Sequence, residues 1–452
     1  MKTLAGRAIL GTFFHAPTLD RLDILPDALI EVAADGTIAA VTRSDDPAHA
    51  DRVAALGTAV VQLPAGSYGI PGFVDCHVHA PQYPQLGQAL DVPLEVWLGK
   101  YTFPLEARYA DLEFAQTRYA ALIDDLLAIG TTTALYFGTV HLEATKLLAD
   151  LCLDKGQRAL VGKVVMDDPD SCPDDYRDAD ATSGVSETRA LIEHVRSHPG
   201  NAAGRVLPVI TPRFIPSCTD AALTALGELA DETGAHVQTH CSESDWAHAH
   251  VLARYGHTDA EALDRFGLLT RRTMLAHANF LTDDDRTRVV RRGAAVAHCA
   301  LSNVYFANSV FPLRAALSRH MHVGLGTDIS GGPSASMFEA CRATVQSSRL
   351  LEDGVDPALP AAQRGRPDSR VDLVTAFHVA TAGGGTALDL PIGRFEPGCH
   401  FDAVAIDTTA RDGGIRLFGD EPLNGVFEKL IYGATRANVS HVWVAGEDRR
   451  PT

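Results

Sequence analysis

Short apolar runs recur through the middle of the chain, each closed by polar residues and followed by a stretch with helical spacing. They read "GFVDCHVH" (72–79), "TTTALYF" (131–137), "RALVGKVVM" (158–166) and "RVLPVITPRF" (205–214). They continue with "HVQTHCSE" (236–243), "TMLAHANF" (273–280), "AAVAHCALSN" (294–303) and "HVGLGTDIS" (322–330). Near-continuous apolar runs of this length suit strands buried on both faces of a parallel sheet. Segments such as "AALTALGELADETG" and "SVFPLRAALSRHM" supply the helices between them. Eight such repeats over about 260 residues match the size and count of a (β/α)₈ barrel. An open doubly wound sheet is the rival, but its Gly-rich phosphate turn is missing.

The ends of the chain carry a different pattern. Residues 1–66 read as short strands joined by turns, with Asp35-Gly36 in "ALIEVAADGTIAAVT" a strong hairpin signal. "FDAVAIDT" (401–408) and "HVWVAGED" (441–448) are strand-like again. The expected fold is therefore α/β. A barrel over 67–392 carries a small β-sandwich domain assembled from residues 1–66 and 393–452. The Asp-rich "MDDPDSCPDDYRDAD" (166–180) lacks the spacing and turn glycine of a calcium loop and reads as a solvated connection. Residues 352–370 read as an exposed connection after the barrel strands.

Composition narrows the function classes. Net charge is −18, from 39 basic and 57 acidic residues. That argues against unspecific nucleic-acid binding and against an anionic membrane surface. None of the eight cysteines forms a C-x-x-C pair, so neither a zinc knuckle nor a thioredoxin-like motif is present. The N-terminal stretch lacks a signal-peptide pattern, and no run approaches the roughly 20 apolar residues of a membrane span. A cytoplasmic protein is the simplest expectation.

The chemistry lies at the C-terminal ends of the expected strands, where barrels build their sites. The first strand ends in His77 and His79, two apart and so on one face. Strand 4 ends in Arg213 and Phe214, strand 5 in His240 with Glu243 beyond it, and strand 6 in His277. Strand 7 offers His298, Ser302 and Asn303, and strand 8 offers Asp328. Each alone has a bland reading: a hydrogen-bonded half-buried histidine, a capping Asp, an ordinary Arg. Convergence of so many ionisable groups on one rim would be costly without a shared ligand. Three histidines and a carboxylate suit Zn²⁺ or Fe²⁺ with a position left for water. In that arrangement His77, His79, His240 and Asp328 are the ligands, and Asp328 also receives the water's proton. His277 orients the water, and Glu243 shuttles protons to the substrate and its leaving group.

"GFVDCHVH", "THCSE", "LAHANF" and "GLGTDISGG" together resemble the amidohydrolase superfamily, whose fold is a metal-bearing (β/α)₈ barrel. "GRFEPGCHFDAVAID" (393–407) is similar to that family's return into the β domain. In dinuclear members a carboxylated lysine bridges two metals from the end of strand 4. Here that position reads "TPRF", and Lys163 lies one strand earlier, so the resemblance implies one divalent metal per chain, Zn²⁺ ahead of Fe²⁺.

Within the superfamily, "HAPQYPQLG", "VWLGKYTFPLEARY", "GTTTALYFGTVH", "KVVMD" and "ITPRF" resemble the guanine deaminases. That resemblance implies a purine substrate held by Gln82 and Arg213, with Phe214 bordering the ring and Trp97 or Phe103 closing the pocket. Plain packing of a long loop is the alternative for Trp97, Tyr101 and Phe103. The resemblance also implies a homodimer. His141-Leu142-Glu143 matches the H-x-E of the separate zinc nucleobase deaminases only superficially, because no P-C-x-x-C follows. One departure stands out. Where guanine deaminases tend to read "HCPNSN", this chain has Ala300 and Leu301 before Ser302 and Asn303. A more apolar pocket wall is expected there, with a pterin or 8-oxoguanine as the alternative substrate. A metal-free structural or regulatory relative is the reading from another class, and it expects broken ligand positions, whereas every position here is filled.

Overall fold

The computed structural model describes residues 3–451. All eight apolar runs form strands: Phe73–His79, Thr131–Phe137, Arg158–Val165, Val206–Pro212, His236–Cys241, Thr273–His277, Ala295–His298 and His322–Leu325. Each pairs in parallel with the next. The ring is closed between the first and last strands by two backbone hydrogen bonds beyond the ladder. Asp328 N–H donates to His77 O (2.9 Å), and His79 N–H donates to Ile329 O (3.0 Å).

The helices between the strands begin and end as their sequences dictate. Thr219 caps Asp220–Thr233 by accepting from Ala222 N–H, and Gly234 ends it in the left-handed region at φ 60°. Ser244 with Gly256, and Thr282 with Gly293, repeat the device on Asp245–Tyr255 and Asp283–Arg292. Such caps satisfy donors and carbonyls that helix ends leave free, at about 1 kcal/mol for a good N-cap. The helix expected in "SVFPLRAALSRHM" is short, only Leu313–Leu317. Pro312, which has no N–H, stands immediately before it.

Val74, Cys76, Leu135, Leu160, Val209, Met274, Ala295 and Ala297 belong to one buried cluster within the ring of strands. Small residues are needed there: a Cβ on Gly324 would lie 2.3 Å from Cys76 Sγ. The pairing of strand 1 with strand 2 shifts register between Asp75 and Val78. That irregularity lets Cys76 belong to the interior cluster while its neighbour His77 faces the mouth.

The terminal segments form one mixed eight-stranded sheet. Its strands are Ala8–Thr18, Arg21–Val32, Ile38–Thr42, Val60–Gln62, Ser67–Pro71, Ala403–Asp407, Val439–Val444 and Glu447–Asp448. The sheet curls until its ends meet. Ile38 N–H donates to Cys399 O (2.7 Å), and a Cβ on Gly36 would collide with Ala445 at the far edge. Enclosed between them is an aromatic core that includes Phe13, Phe395, Phe401 and Trp443. A buried ion pair, Arg158 Nε to Asp402 Oδ2 at 2.8 Å, ties the start of barrel strand 3 to this sheet.

Candidate active site

The strand ends bring the expected ligands together. His79 Nε2 and His240 Nε2 lie 3.0 Å apart. Asp328 Oδ1 lies 3.2 Å from His77 Nε2 and 3.6 Å from His79 Nε2. His240 donates its Nδ1–H to the backbone carbonyl of Arg213 (2.6 Å), which leaves its Nε2 as a lone pair aimed at His79. Burial first, then the neighbouring imidazoles, hold the pKa values of His79 and His240 well below the ordinary histidine value. Burial likewise depresses His77, with His277 next in effect. The three rings are therefore neutral, the form that ligates a metal.

His77 Nε2 is buried without a hydrogen-bond partner, beside the facing Nε2 atoms of His79 and His240. Lone pairs crowded together and left unsatisfied are costly unless a cation lies among them. The residues present thus fit a divalent metal: His77, His79 and His240 form one candidate group, and Asp328 adjoins it at 3.2 and 3.6 Å from His77 and His79. Lys163 takes no part. Its ammonium is buried against Asp178 (2.5 Å) and Glu187 (3.3 Å), away from the cavity.

Glu243 and His277 complete a second cluster with Asp328. His277 Nε2 stands 3.6 Å from Glu243 Oε1 and 3.9 Å from Asp328 Oδ2. Burial, followed by the charge of Asp328, pushes the Glu243 carboxyl up to about 8. A carboxyl so displaced takes up and releases a proton near neutral pH. His277 donates Nδ1–H to Asn303 Oδ1 (3.0 Å), so its Nε2 faces the two carboxyls as an acceptor. Asn303 is fixed by reciprocal amide bonds with Asn279, at 2.9 and 3.2 Å. Left-handed φ values gather at these strand ends: Ser242 (45°), His277 (68°), Ala278 (53°) and Asp328 (53°). Each costs on the order of 1–3 kcal/mol and persists where surrounding contacts over-determine it.

Asp75 supplies one such constraint. Its Oδ1 accepts from Thr327 N–H (3.0 Å) and His77 N–H (3.3 Å), and its Oδ2 from Thr327 Oγ1 (2.6 Å). It thereby sets strand 8's exit against strand 1, so that Asp328 meets His77.

Arg213 links the metal wall to the rest of the cavity. While its carbonyl orients His240, its guanidinium donates to both oxygens of Glu106, at 2.6 and 3.2 Å. Phe103 lies beneath the guanidinium, 4.9 Å from ring centre to Cζ. Gln82 donates to Glu106 (2.8 Å) and accepts from Ser330 N–H (3.2 Å). Together these walls border a cavity lined by Gln82, Trp97, Arg213, Phe214, Glu243 and Asp328, among others.

Of the sequence candidates, Trp97 lines the cavity, packed on Phe306 with ring centres 5.0 Å apart, whereas Phe103 reaches it through Arg213. His298 is not among the lining residues; it packs on Phe311 instead. Ala300 and Leu301 do not line the cavity either, so the apolar wall expected from them does not form. Leu301 packs at Gly332. The Asp-rich connection is less solvated than expected, because Tyr176 within it is buried with its hydroxyl on Glu106 (2.6 Å). Glu106, Tyr176, Asp75 and Asn279 are the site residues that sequence reasoning missed. The single acidic residue in "GFVDCHVH" was the signal for Asp75, whereas nothing local distinguished Glu106.

This barrel, with its histidine-rich mouth, is that of a metal-dependent hydrolase. The model of the Amidohydrolase family matches residues 68–448, and the chain belongs to that family. The guanine deaminase of Dictyostelium discoideum is 34% identical to it over 452 residues, covering 96% of each chain. Among solved structures, guanine deaminase from C. acetobutylicum with bound guanine superposes with a TM-score of 0.87 at 30% identity, covering 98% of this chain and 99% of that one. An adenosine deaminase from Xanthomonas campestris with bound zinc gives a TM-score of 0.82 at 26% identity, covering 99% and 94%.

Proposed function

We propose that this chain hydrolyses guanine to xanthine and ammonia. The observation that carries the reading is one cavity with a fixed donor fork on one wall and a proton-handling cluster on the other. The guanidinium of Arg213 and the amide of Gln82 face the purine's polar edge, with the Arg213 donors directed at its carbonyl oxygen. Phe214 and Trp97 border the flat ring.

One divalent metal per chain is part of this reading, with zinc as first choice; the zinc-bearing relative and the clustered His77, His79 and His240, with Asp328 beside them, support it. When bound, such a metal lowers the pKa of water toward neutrality and supplies hydroxide. The chain's own residues do the rest. Glu243 protonates N3 as water adds to C2, and Asp328 accepts the water's proton. His277 holds the water through its Nε2; Glu243 then carries the remaining hydroxyl proton to the amino group, so that ammonia departs as the C2 carbonyl forms, and the proton held by Asp328 restores Glu243.

The eight cysteines are all free and buried, which supports a reducing, cytoplasmic setting. Among the described residues no helix is long and apolar enough to cross a membrane. The homodimer implied by the family resemblance is checked by mass in solution. Ammonia release over guanine, 8-oxoguanine, pterin, adenine and cytosine tests the main reading. Guanine should be the best of the five, and a pterin or 8-oxoguanine preferred over it would overturn the assignment.

A further inference from the structure

Glu106 lies in the short helix Phe103–Ala107 and has no exposed surface. Four donors from three distant segments converge on it. Oε1 accepts from Gln82 Nε2 (2.8 Å) and Arg213 Nη2 (3.2 Å), and Oε2 from Arg213 Nη1 (2.6 Å) and Tyr176 Oη (2.6 Å). An ionised carboxylate offers about four lone-pair sites, and here every one is filled. Glu106 and Arg213 thus form a buried ion pair at the cavity's back wall, with the guanidinium between the carboxylate and the cavity.

We infer that Glu106 is a positioning residue that fixes the Arg213 fork and cancels its charge, so that the recognition wall selects uncharged heterocycles and rejects anionic ones. This rests on reading the cavity as a purine site. A buried guanidinium without a partner is a strong anion binder. With Glu106 behind it and Phe103 under its face, Arg213 presents only its remaining N–H hydrogens to the cavity. A neutral carbonyl gains those hydrogen bonds in full. An anion gains them too, but meets the field of Glu106 behind the guanidinium. Tyr176 holds the carboxylate from the far side, and its loop is anchored by Asp178 on Lys163.

Direct calorimetric binding to the metal-loaded protein tests this with two carbonyl-bearing purines, hypoxanthine, uncharged at neutral pH, and urate, an anion there. Wild type should bind hypoxanthine more tightly than urate. Glu106→Gln keeps the shape but leaves Arg213 charged. It should shift the hypoxanthine-to-urate affinity ratio toward urate by about tenfold or more, the scale of one charge-assisted hydrogen bond. Tyr176→Phe leaves the charge pair in place and should weaken both ligands without moving the ratio. An unchanged ratio in a folded, metal-loaded Glu106→Gln protein reduces Glu106 to a structural residue. Should that variant not fold, wild type decides, since urate bound as tightly as hypoxanthine overturns the inference. Loss of hypoxanthine binding in wild type is a separate outcome, which sinks the purine reading itself.

Discussion

On the wall that carries His77, His79 and His240, buried ring nitrogens lack hydrogen-bond partners. On the wall that carries Arg213 and Gln82, every acceptor position of Glu106 is filled. The first wall is thus incomplete without a cation, while the second is complete before any ligand arrives. Unsatisfied buried groups mark where binding energy will be released, and a satisfied network marks where geometry has been settled in advance. The two walls share Arg213, whose backbone serves one and whose side chain serves the other. Substitutions should therefore separate metal loss from loss of selectivity.

The largest effect belongs to the metal wall. His77→Ala or His240→Ala should abolish bound metal and activity together, read by elemental analysis beside ammonia release. Wild type should hold about one divalent metal per chain. Two metals at full occupancy would overturn the mononuclear assignment, whose basis is that strand 4 ends in Arg213 while Lys163 is engaged by Asp178. Glu243→Gln follows in size. It keeps the shape but removes the proton shuttle, so turnover should fall about 10²–10⁴-fold with metal content intact. Metal loss in that variant would make Glu243 a ligand.

The opposite wall should respond in selectivity. Adenine presents an amino group where guanine has its carbonyl, setting donor against donor at Arg213. Guanine should accordingly be preferred in kcat/KM by the equivalent of about 1.5–3 kcal/mol, the worth of a charge-assisted hydrogen bond. Arg213→Ala should relax that preference, and Arg213→Lys should impair the enzyme too, because an ammonium has no fork. Equal efficiencies in wild type, or an unchanged ratio in Arg213→Ala, would remove Arg213 from recognition.

The unequal character of the walls also explains how much could be read from the sequence. His77, His79, His240, His277 and Asp328 each close a buried apolar run, and the strand period with the barrel's rule for its mouth places them together. The recognition wall is held by contacts that carry no local pattern. Glu106 meets Arg213 across 107 residues of sequence and Tyr176 across 70. Tyr176 sits among aspartates that look like solvated loop. His298 shows the converse limit. It closes strand 7 with the same apparent logic as His240, yet it packs on Phe311 and stays off the cavity. Periodicity locates a strand end but does not say which of its last residues turns inward.

The smallest effect expected is at Asn303, where the proton-handling cluster is oriented rather than built. Its Oδ1 takes the Nδ1–H of His277 at 3.0 Å, and its amide is paired with Asn279. Asn279 in turn donates to the backbone carbonyl of Glu243 at 2.9 Å, so the pair sets both His277 and Glu243. Of the three neutral hydrogen bonds that Asn303→Ala removes, one is made to the His277 ring, which the strand end already holds at a left-handed φ of 68°. The ring loses its fixed tautomer but not its place. A net loss of about 0.5–1.5 kcal/mol is the ordinary worth of such a bond, so kcat should fall only about 2–13-fold. Metal content should not change, because Asn303 touches none of the three metal-wall histidines. Asn303→Asp restores the acceptor and should recover most of the loss. A collapse of metal content in Asn303→Ala, or no recovery in Asn303→Asp, would mean that His277 belongs to the metal wall, and the boundary between building and orienting residues would have to be redrawn.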